Sequence, residues 1–343
     1  MLATAGPVPT GPEWALELKW DGMRALAYVE GPDPDDVVLV SRAGRRVSRS
    51  YPDVARALAA AAGTRRVVLD GEIVVLSAPS AGAPARPSFD RLQLRMGVQK
   101  PSPQLVDTAP TTFVAFDLLC CDDEALLDLP YLERRARLER LGLDGHRGLV
   151  VSPALEGLDA QTALEVAESH GMEGIVAKRR DAPYRPGRSH AWIKTPLWRA
   201  TEAVIGGWAE GRGRHAGAVG AVLLGLPTPS GRLRYIGHVG TGLRDSERDQ
   251  LSVQLTEAEI ADNPFDGPVP EQRAARWTQP TLVAEARFRS WSDDGVLRHS
   301  SWRGCAPTAS PTSWEPVLLP LIEETPLLEG TAGTTAGARA GGR

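Results

Sequence analysis

The stretch Glu17-Leu18-Lys19-Trp20-Asp21-Gly22-Met23-Arg24 restricts this chain more than any other. Apolar Trp14, Ala15, Leu16 and Leu18 precede it and Leu26, Tyr28 and Val29 follow. That composition predicts a strand, a tight Asp-Gly turn and a second strand, as in a β-hairpin. A lysine among apolar neighbours acts as a nucleophile where desolvation or nearby cations activate it, and is otherwise a solvated charge beside a turn. The remainder of the sequence has to decide between these two readings.

Other strand-like runs also carry isolated charges. Residues 67–76 read as a strand interrupted by Asp70-Gly71-Glu72, and 113–120 as a buried strand whose one charge is Asp117. Residues 174–178 read as a further strand directly after Glu173, and 37–40 as another. Between them, 51–62 has apolar residues at helical spacing and a stop at Gly63, and Leu132, Ala136, Leu138 and Leu141 fit an amphipathic helix. Asp159 is placed to cap a helix through Glu168, with Gly171 as its stop. The Ala/Pro/Ser/Gly-rich segment 78–87 reads as a loop.

The texture changes at Thr195-Pro196. Short strands at 203–205, 219–226, 233–239 and 282–288 follow, separated by glycine turns. One helix at about 245–260, with Leu251, Leu255 and Ile260 on its apolar side, interrupts them. This pattern suits a small barrel of the OB type. The length of 343 residues suggests two domains, here 1–196 and 197–325, with a Gly/Ala/Thr-rich tail at 326–343 expected to be disordered.

Composition excludes several classes. No apolar run approaches a membrane span, and residues 1–12 lack the pattern of a secretory signal. Cys120, Cys121 and Cys305 make no disulfide framework and no metal-ligand spacing, so the expected setting is cytoplasmic. A net charge of -4 argues against a nucleic-acid partner, but the arginines are clustered at 42–49, 179–188, 212–214 and 232–234. Such patches bind phosphates even on a mildly acidic chain, although each alone reads as a solvated face.

The ordered set Glu17/Lys19/Asp21/Gly22/Arg24, Ser41-Arg42-Ala43-Gly44-Arg45, Asp70-Gly71-Glu72-Ile73, Ala115-Phe116-Asp117-Leu118, Glu173-Gly174-Ile175-Val176-Ala177-Lys178 and Trp192-Ile193-Lys194 resembles the successive nucleotidyltransferase motifs of the ATP-dependent DNA ligases. The resemblance is closest to the ligase domain of bacterial end-joining ligases, the ligase D and ligase C group. It runs through Val239-Gly240-Thr241-Gly242 to Ser300-Ser301-Trp302-Arg303-Gly304, leaving out only the tail. It implies an α+β, ATP-grasp-like nucleotidyltransferase domain of antiparallel sheets and helices, followed by an OB-fold barrel. Lys19 would take AMP from ATP, pass it to a DNA 5′-phosphate, and a 3′-hydroxyl would then displace it to seal the strand.

The same resemblance assigns the other residues. Lys194 would contact the α-phosphate, with Lys178 on the neighbouring strand. Glu173, and after it Asp21, would hold Mg²⁺ or Mn²⁺, since Mg²⁺ needs only one or two carboxylates. Phe116 would stack on adenine, Glu72 would accept from ribose, and Glu17 would sit near the adenine amino group. Arg24 and Arg42 would reach ribose or phosphates, and Arg298 matches the arginine that opens the last motif. Asp117 reads equally as structural or functional, and Trp192 as packing between the domains. Nicked or broken double-stranded DNA is the implied substrate, a Ku-type end-binding protein the implied family partner, and a monomer without membrane attachment the implied state. A hinge is expected at 195–201.

Two motifs depart from the family pattern. Pro196 replaces the second lysine of a Lys-Xaa-Lys motif, leaving the phosphate grip one cation short unless Arg199 or another residue substitutes. Ala306, Thr308 and Ala309 replace the Arg-Xaa-Asp-Lys charges that orient the departing pyrophosphate, although Arg298 and Arg303 remain. These changes predict slow self-adenylation with less impaired sealing of pre-adenylated DNA. The rival readings are an RNA ligase or capping-type nucleotidyltransferase, and a non-catalytic DNA-end-binding paralogue. Retention of Lys19, Asp21, Glu72, Glu173 and Lys194 opposes the second, because a binding module has no need of all five.

Overall fold

The two strands flanking Asp21-Gly22 do not pair with each other, so the expected hairpin is instead a crossing between sheets. In the computed structural model, which describes residues 1–77, 85–270 and 274–305, strand Trp14–Lys19 pairs with Gly174–Arg179. Met23–Val29 runs between Val37–Ser41 and Val67–Val75 in a different sheet. The cause is that the two strands serve different cores. Leu16 and Leu18 pack with Ala163 and Ala167 of helix Ala160–Ser169. Ala25, Ala27 and Val29 pack with Val54 and Leu58 of helix Pro52–Ala62. Gly22 makes the crossing possible, since a Cβ there would run into the Ile73 carbonyl and the Val74 side chain.

The first sheet has the order Leu2–Ala5, Arg188–Pro196, Gly174–Arg179, Trp14–Lys19. The second has the order Val37–Ser41, Met23–Val29, Val67–Val75, Thr111–Cys121, Glu124–Ala125, with Leu149–Val151 parallel to Thr111–Cys121. Val67–Val75 runs unbroken through Asp70-Gly71-Glu72, and register shifts against Thr111–Cys121 absorb the irregularity. Helices cover the outer face of each sheet. Pro52–Ala62 stops at Gly63, where φ is 60°, and Ala160–Ser169 begins with Asp159 accepting from the Thr162 N–H. Between the sheets lies a third apolar cluster of Met1, Leu119, Tyr184 and Trp192, with Phe116, Leu26 and Val68 against it. Trp192 is therefore buried inside the first half of the chain, not between halves as expected, because its strand faces the second sheet. Of the expected loop at 78–87, residues 78–84 lie outside the described residues.

Only Leu197 and Trp198 separate strand Arg188–Pro196 from the long strand Arg199–Glu210. The latter is the spine of the second half. It pairs with Val219–Pro227 on one side, and on the other with Val283–Phe288 and then Ala275–Thr278. Leu233–Val239 extends the sheet beyond Val219–Pro227. Helix Asp245–Glu257 buries Leu251 and Leu255 against Ile205, Val222 and Trp302. Ile260, expected on that helix, instead pairs with Trp277 in the short strand Glu259–Ile260; the helix has already ended, and a β-branched residue suits the ladder. No helix among the described residues is long and apolar enough to cross a membrane. The expected tail at 326–343, and Ala306, Thr308 and Ala309, lie outside the described residues.

Candidate active site

Strand pairing brings the predicted residues together. Across the first sheet, Glu17 is opposite Val176, which is opposite Lys194. In the next row Lys19 is opposite Gly174, itself opposite Pro196. In the preceding row Lys178 is opposite Trp192. Side chains two apart share a face, so Glu17, Lys19, Lys178, Trp192 and Lys194 all point to one side. The second sheet contributes Arg24, which is opposite Glu72, and Phe116. The cleft between the sheets is lined by Glu17, Lys19, Asp21, Arg24, Arg42, Glu72, Phe116, Glu173, Lys178 and Lys194.

The inner end is aromatic and buried, and ion pairs brace it. Lys178 is buried; its Nζ lies 2.8 Å from Glu17 Oε1 and donates to the Phe116 carbonyl at 2.7 Å. Its ammonium sits 4.6 Å from the Trp192 ring centre and 4.9 Å from that of Phe116. Glu17 also accepts from the Tyr131 hydroxyl, and Arg135 stands 3.8 Å away. A buried ion pair of this kind persists only where further hydrogen bonds complete it, as they do here. Tyr131 and Arg135 come from helix Tyr131–Arg140 and carried no signal that sequence reasoning would single out. Arg24 is held on the wall by Asp70, at 2.9 Å and 2.5 Å, and Tyr184 donates to Asp70 at 2.8 Å. Its guanidinium lies 5.4 Å from the Phe116 ring centre.

The outer end is charged. The Lys19 ammonium contacts Glu173 Oε2, and Arg289 from the second half of the chain donates to Glu173 Oε1 at 2.5 Å. Burial, then the flanking charges of Lys19 and Arg289, pull the Lys194 ammonium below its ordinary pKa. Asp21 is pushed up by burial and by the Glu173 carboxylate. Burial pushes the Glu72 carboxyl up to about 8 despite Lys19 and Arg24 nearby. Arg42 is exposed at the rim.

Two residues stand elsewhere. Arg298 does not line the cleft, although its charge bears on Asp21; it pairs with Asp90 and stacks 5.3 Å from the Phe89 ring centre. Asp117 is fully buried and gripped by Arg134 at 2.7 Å and 2.9 Å, which makes it a structural residue.

The donor set fits a hard divalent cation. Asp21 and Glu173 line one cleft; burial and then the Glu173 carboxylate raise Asp21, and a cation between the two would relieve that repulsion. No cluster of three or more His, Cys, Asp or Glu able to hold a metal occurs among the described residues. Mg²⁺ takes one or two carboxylates and completes its shell with water and phosphate, so this pair is enough to hold it. The arrangement as a whole offers a flat aromatic slot beside a carboxylate, a carboxyl beside an arginine, and a cationic mouth around one amine. Those are the features an adenosine phosphate requires.

Comparison with known proteins gives the same picture. A family model described as the ATP dependent DNA ligase domain matches residues 8–195, and one for the ATP dependent DNA ligase C terminal region matches residues 215–307. The multifunctional non-homologous end joining DNA repair protein LigD of Mycobacterium tuberculosis is 43% identical over 317 residues, covering 91% of this chain and 39% of that protein. The chain thus spans about two fifths of the length of such relatives. The solved ligase domain of M. tuberculosis LigD is 39% identical with a TM-score of 0.50, covering 91% of this chain and 96% of that one. A mycobacterial DNA ligase D complexed with ATP and MES matches with a TM-score of 0.51 at 39% identity over the same shares.

Proposed function

This chain belongs to the ATP-dependent DNA ligases, and from that premise we propose that it seals 5′-phosphate/3′-hydroxyl breaks in duplex DNA through lysine-AMP and DNA-adenylate intermediates. The observation that carries the reading is the Lys19 amine at the mouth of a cleft with an aromatic slot at one end and Lys194 beside it. Lys19 Nζ forms a bond to the α-phosphorus while the bond to pyrophosphate breaks. The touching Glu173 carboxylate is the adjoining acceptor for the amine proton. Phe116 stacks on adenine with Glu17 at its edge; Glu72 and Arg24 hold the ribose; Lys194 and Arg42 take phosphate oxygens. Asp21 and Glu173 would hold Mg²⁺ or Mn²⁺, which when bound neutralises charge developing on the phosphates.

The proposed domains are 1–196 and 197–325, with separate apolar cores in support. The fold relation to end-joining relatives supports work at repair breaks in the bacterial cytosol, with a Ku-type protein as the partner to test. The test of the reading is direct. Incubation with ATP and Mg²⁺ should add the mass of one AMP at Lys19, Lys19→Ala should abolish it, and nicked DNA should be sealed only by the wild type. Wild type and Lys19→Ala that are equally inert yet bind nicked DNA equally would make the chain a binding paralogue. Labelling by GTP in place of ATP, or preference for nicked RNA, would favour the other rival.

A further inference from the structure

An arginine of the second half of the chain stands where the phosphate chemistry is short of charge. Lys194 and residue 196 lie on the same face of their strand, because side chains alternate along it. Proline at 196 places no charge there, and its cross-strand partner is Gly174, next to Glu173. Arg289 reaches this spot from the far side: it donates to Glu173 at 2.5 Å and is one of the cations bearing on Lys194. Arg199 does not take this place, being paired with Glu168 at 3.7 Å on helix Ala160–Ser169. The Arg289 guanidinium is packed 5.1 Å from the Trp198 ring centre, and its Nε is buried with no hydrogen-bond acceptor. Lys19 and Arg289 both contact Glu173, and Lys194 feels the charges of all three, so three cations are gathered on one side of the cleft.

We propose that Arg289 is a catalytic residue that grips the β- and γ-phosphates of ATP during lysine adenylation, supplying the charge that Pro196 lacks. The proposal rests on the ligase reading above. A guanidinium has five N–H donors, so Arg289 can keep Glu173 and still donate to phosphate oxygens. In the step itself, the Lys19 Nζ–phosphorus bond forms, the amine loses its proton, and pyrophosphate leaves with the electron pair of the broken phosphorus–oxygen bond. A cation on the leaving group stabilises that charge as it develops. AMP lacks these phosphates, so Arg289 adds nothing to AMP binding or to the joining of a strand that already carries AMP.

Calorimetric titration without divalent metal, so that no adenylation occurs, separates the possibilities. Arg289→Ala should weaken ATP binding about tenfold or more, the loss expected for hydrogen bonds to a charged group, and leave AMP binding unchanged. Arg289→Lys should recover part of the loss, and Arg289→Gln, which keeps length without charge, should not. Unchanged ATP affinity, or parallel losses for ATP and AMP, would overturn the proposal; the latter would mark a merely structural arginine. Should Arg289→Ala fail to fold, the Lys and Gln variants decide the question alone. Failure of the wild type to form the AMP adduct would sink the ligase reading, while the ATP-versus-AMP titration would still decide the role of Arg289.

Discussion

Lys178 and Glu17 show how much a single buried contact carries in this site. Both are buried, and their 2.8 Å pair is the inner wall of the cleft. Lys178→Met would leave the Glu17 carboxylate with only Tyr131 and a distant Arg135, a loss of about 3–5 kcal/mol by denaturant titration. The double variant Lys178→Met/Glu17→Leu should recover most of that stability while still binding adenosine poorly, and equal stability of single and double variants would contradict the argument. Glu72 carries a pH signature. Its folded pKa of about 8 lies above the unfolded value near ~4.3, so between them the native state holds a proton that the unfolded chain has lost. That contribution is full at low pH and is lost as pH rises through the folded pKa. The melting temperature of the wild type should therefore fall by several degrees more than that of Glu72→Gln between about pH 5 and about pH 8; parallel curves would show that Glu72 does not titrate there.

Among the elements, strand Gly174–Arg179 is the one on which the site depends. It lies between Trp14–Lys19 and Arg188–Pro196, so it sets the spacing between Lys19 and Lys194. Its first residue has φ of 147°, and a Cβ there would strike the Thr195 carbonyl and Pro196. Gly174→Ala should cost about 1–3 kcal/mol through overpacking and strain. Because Gly174 faces Lys19 across the ladder, the yield of AMP adduct should drop further than the lost stability explains. A variant with lowered stability but a full adduct yield would show that the spacing tolerates the shift.

At the scale of the molecule, ion pairs and hydrogen bonds join the halves of the chain beside the cleft, two of them at its mouth. One is Glu173 with Arg289; the other is Asp90, which pairs with Arg298 and accepts from the Asp293 N–H at 2.8 Å. Partly exposed pairs are worth about 0–1 kcal/mol each, so this closed arrangement is shallow. For Arg298 to act on phosphate it must exchange Asp90 for the ligand, and any movement of the halves would turn on the short Leu197-Trp198 connection. Asp90→Ala combined with Arg289→Ala should raise the radius of gyration in small-angle scattering and speed protease cleavage at 195–201. Unchanged scattering would mean that apolar packing, not these pairs, fixes the arrangement.

The sequence by itself determined most of the strands and helices, because period-two alternation and capping residues are local signals, and its ordered ligase-like motifs named Lys19 and most of the residues that line the cleft. Glu17 and Lys19 share a face for that reason alone, and the register of strand pairing brings Lys178 and Lys194 to the same face. Only the tertiary structure decided that Asp21-Gly22 crosses between sheets, that Trp192 packs within the first half, that Asp117 belongs to Arg134, and that Tyr131 and Arg289 join the site. Each of those outcomes depends on which distant surfaces compete to be buried or paired, and the spacing of residues along a chain does not encode that competition.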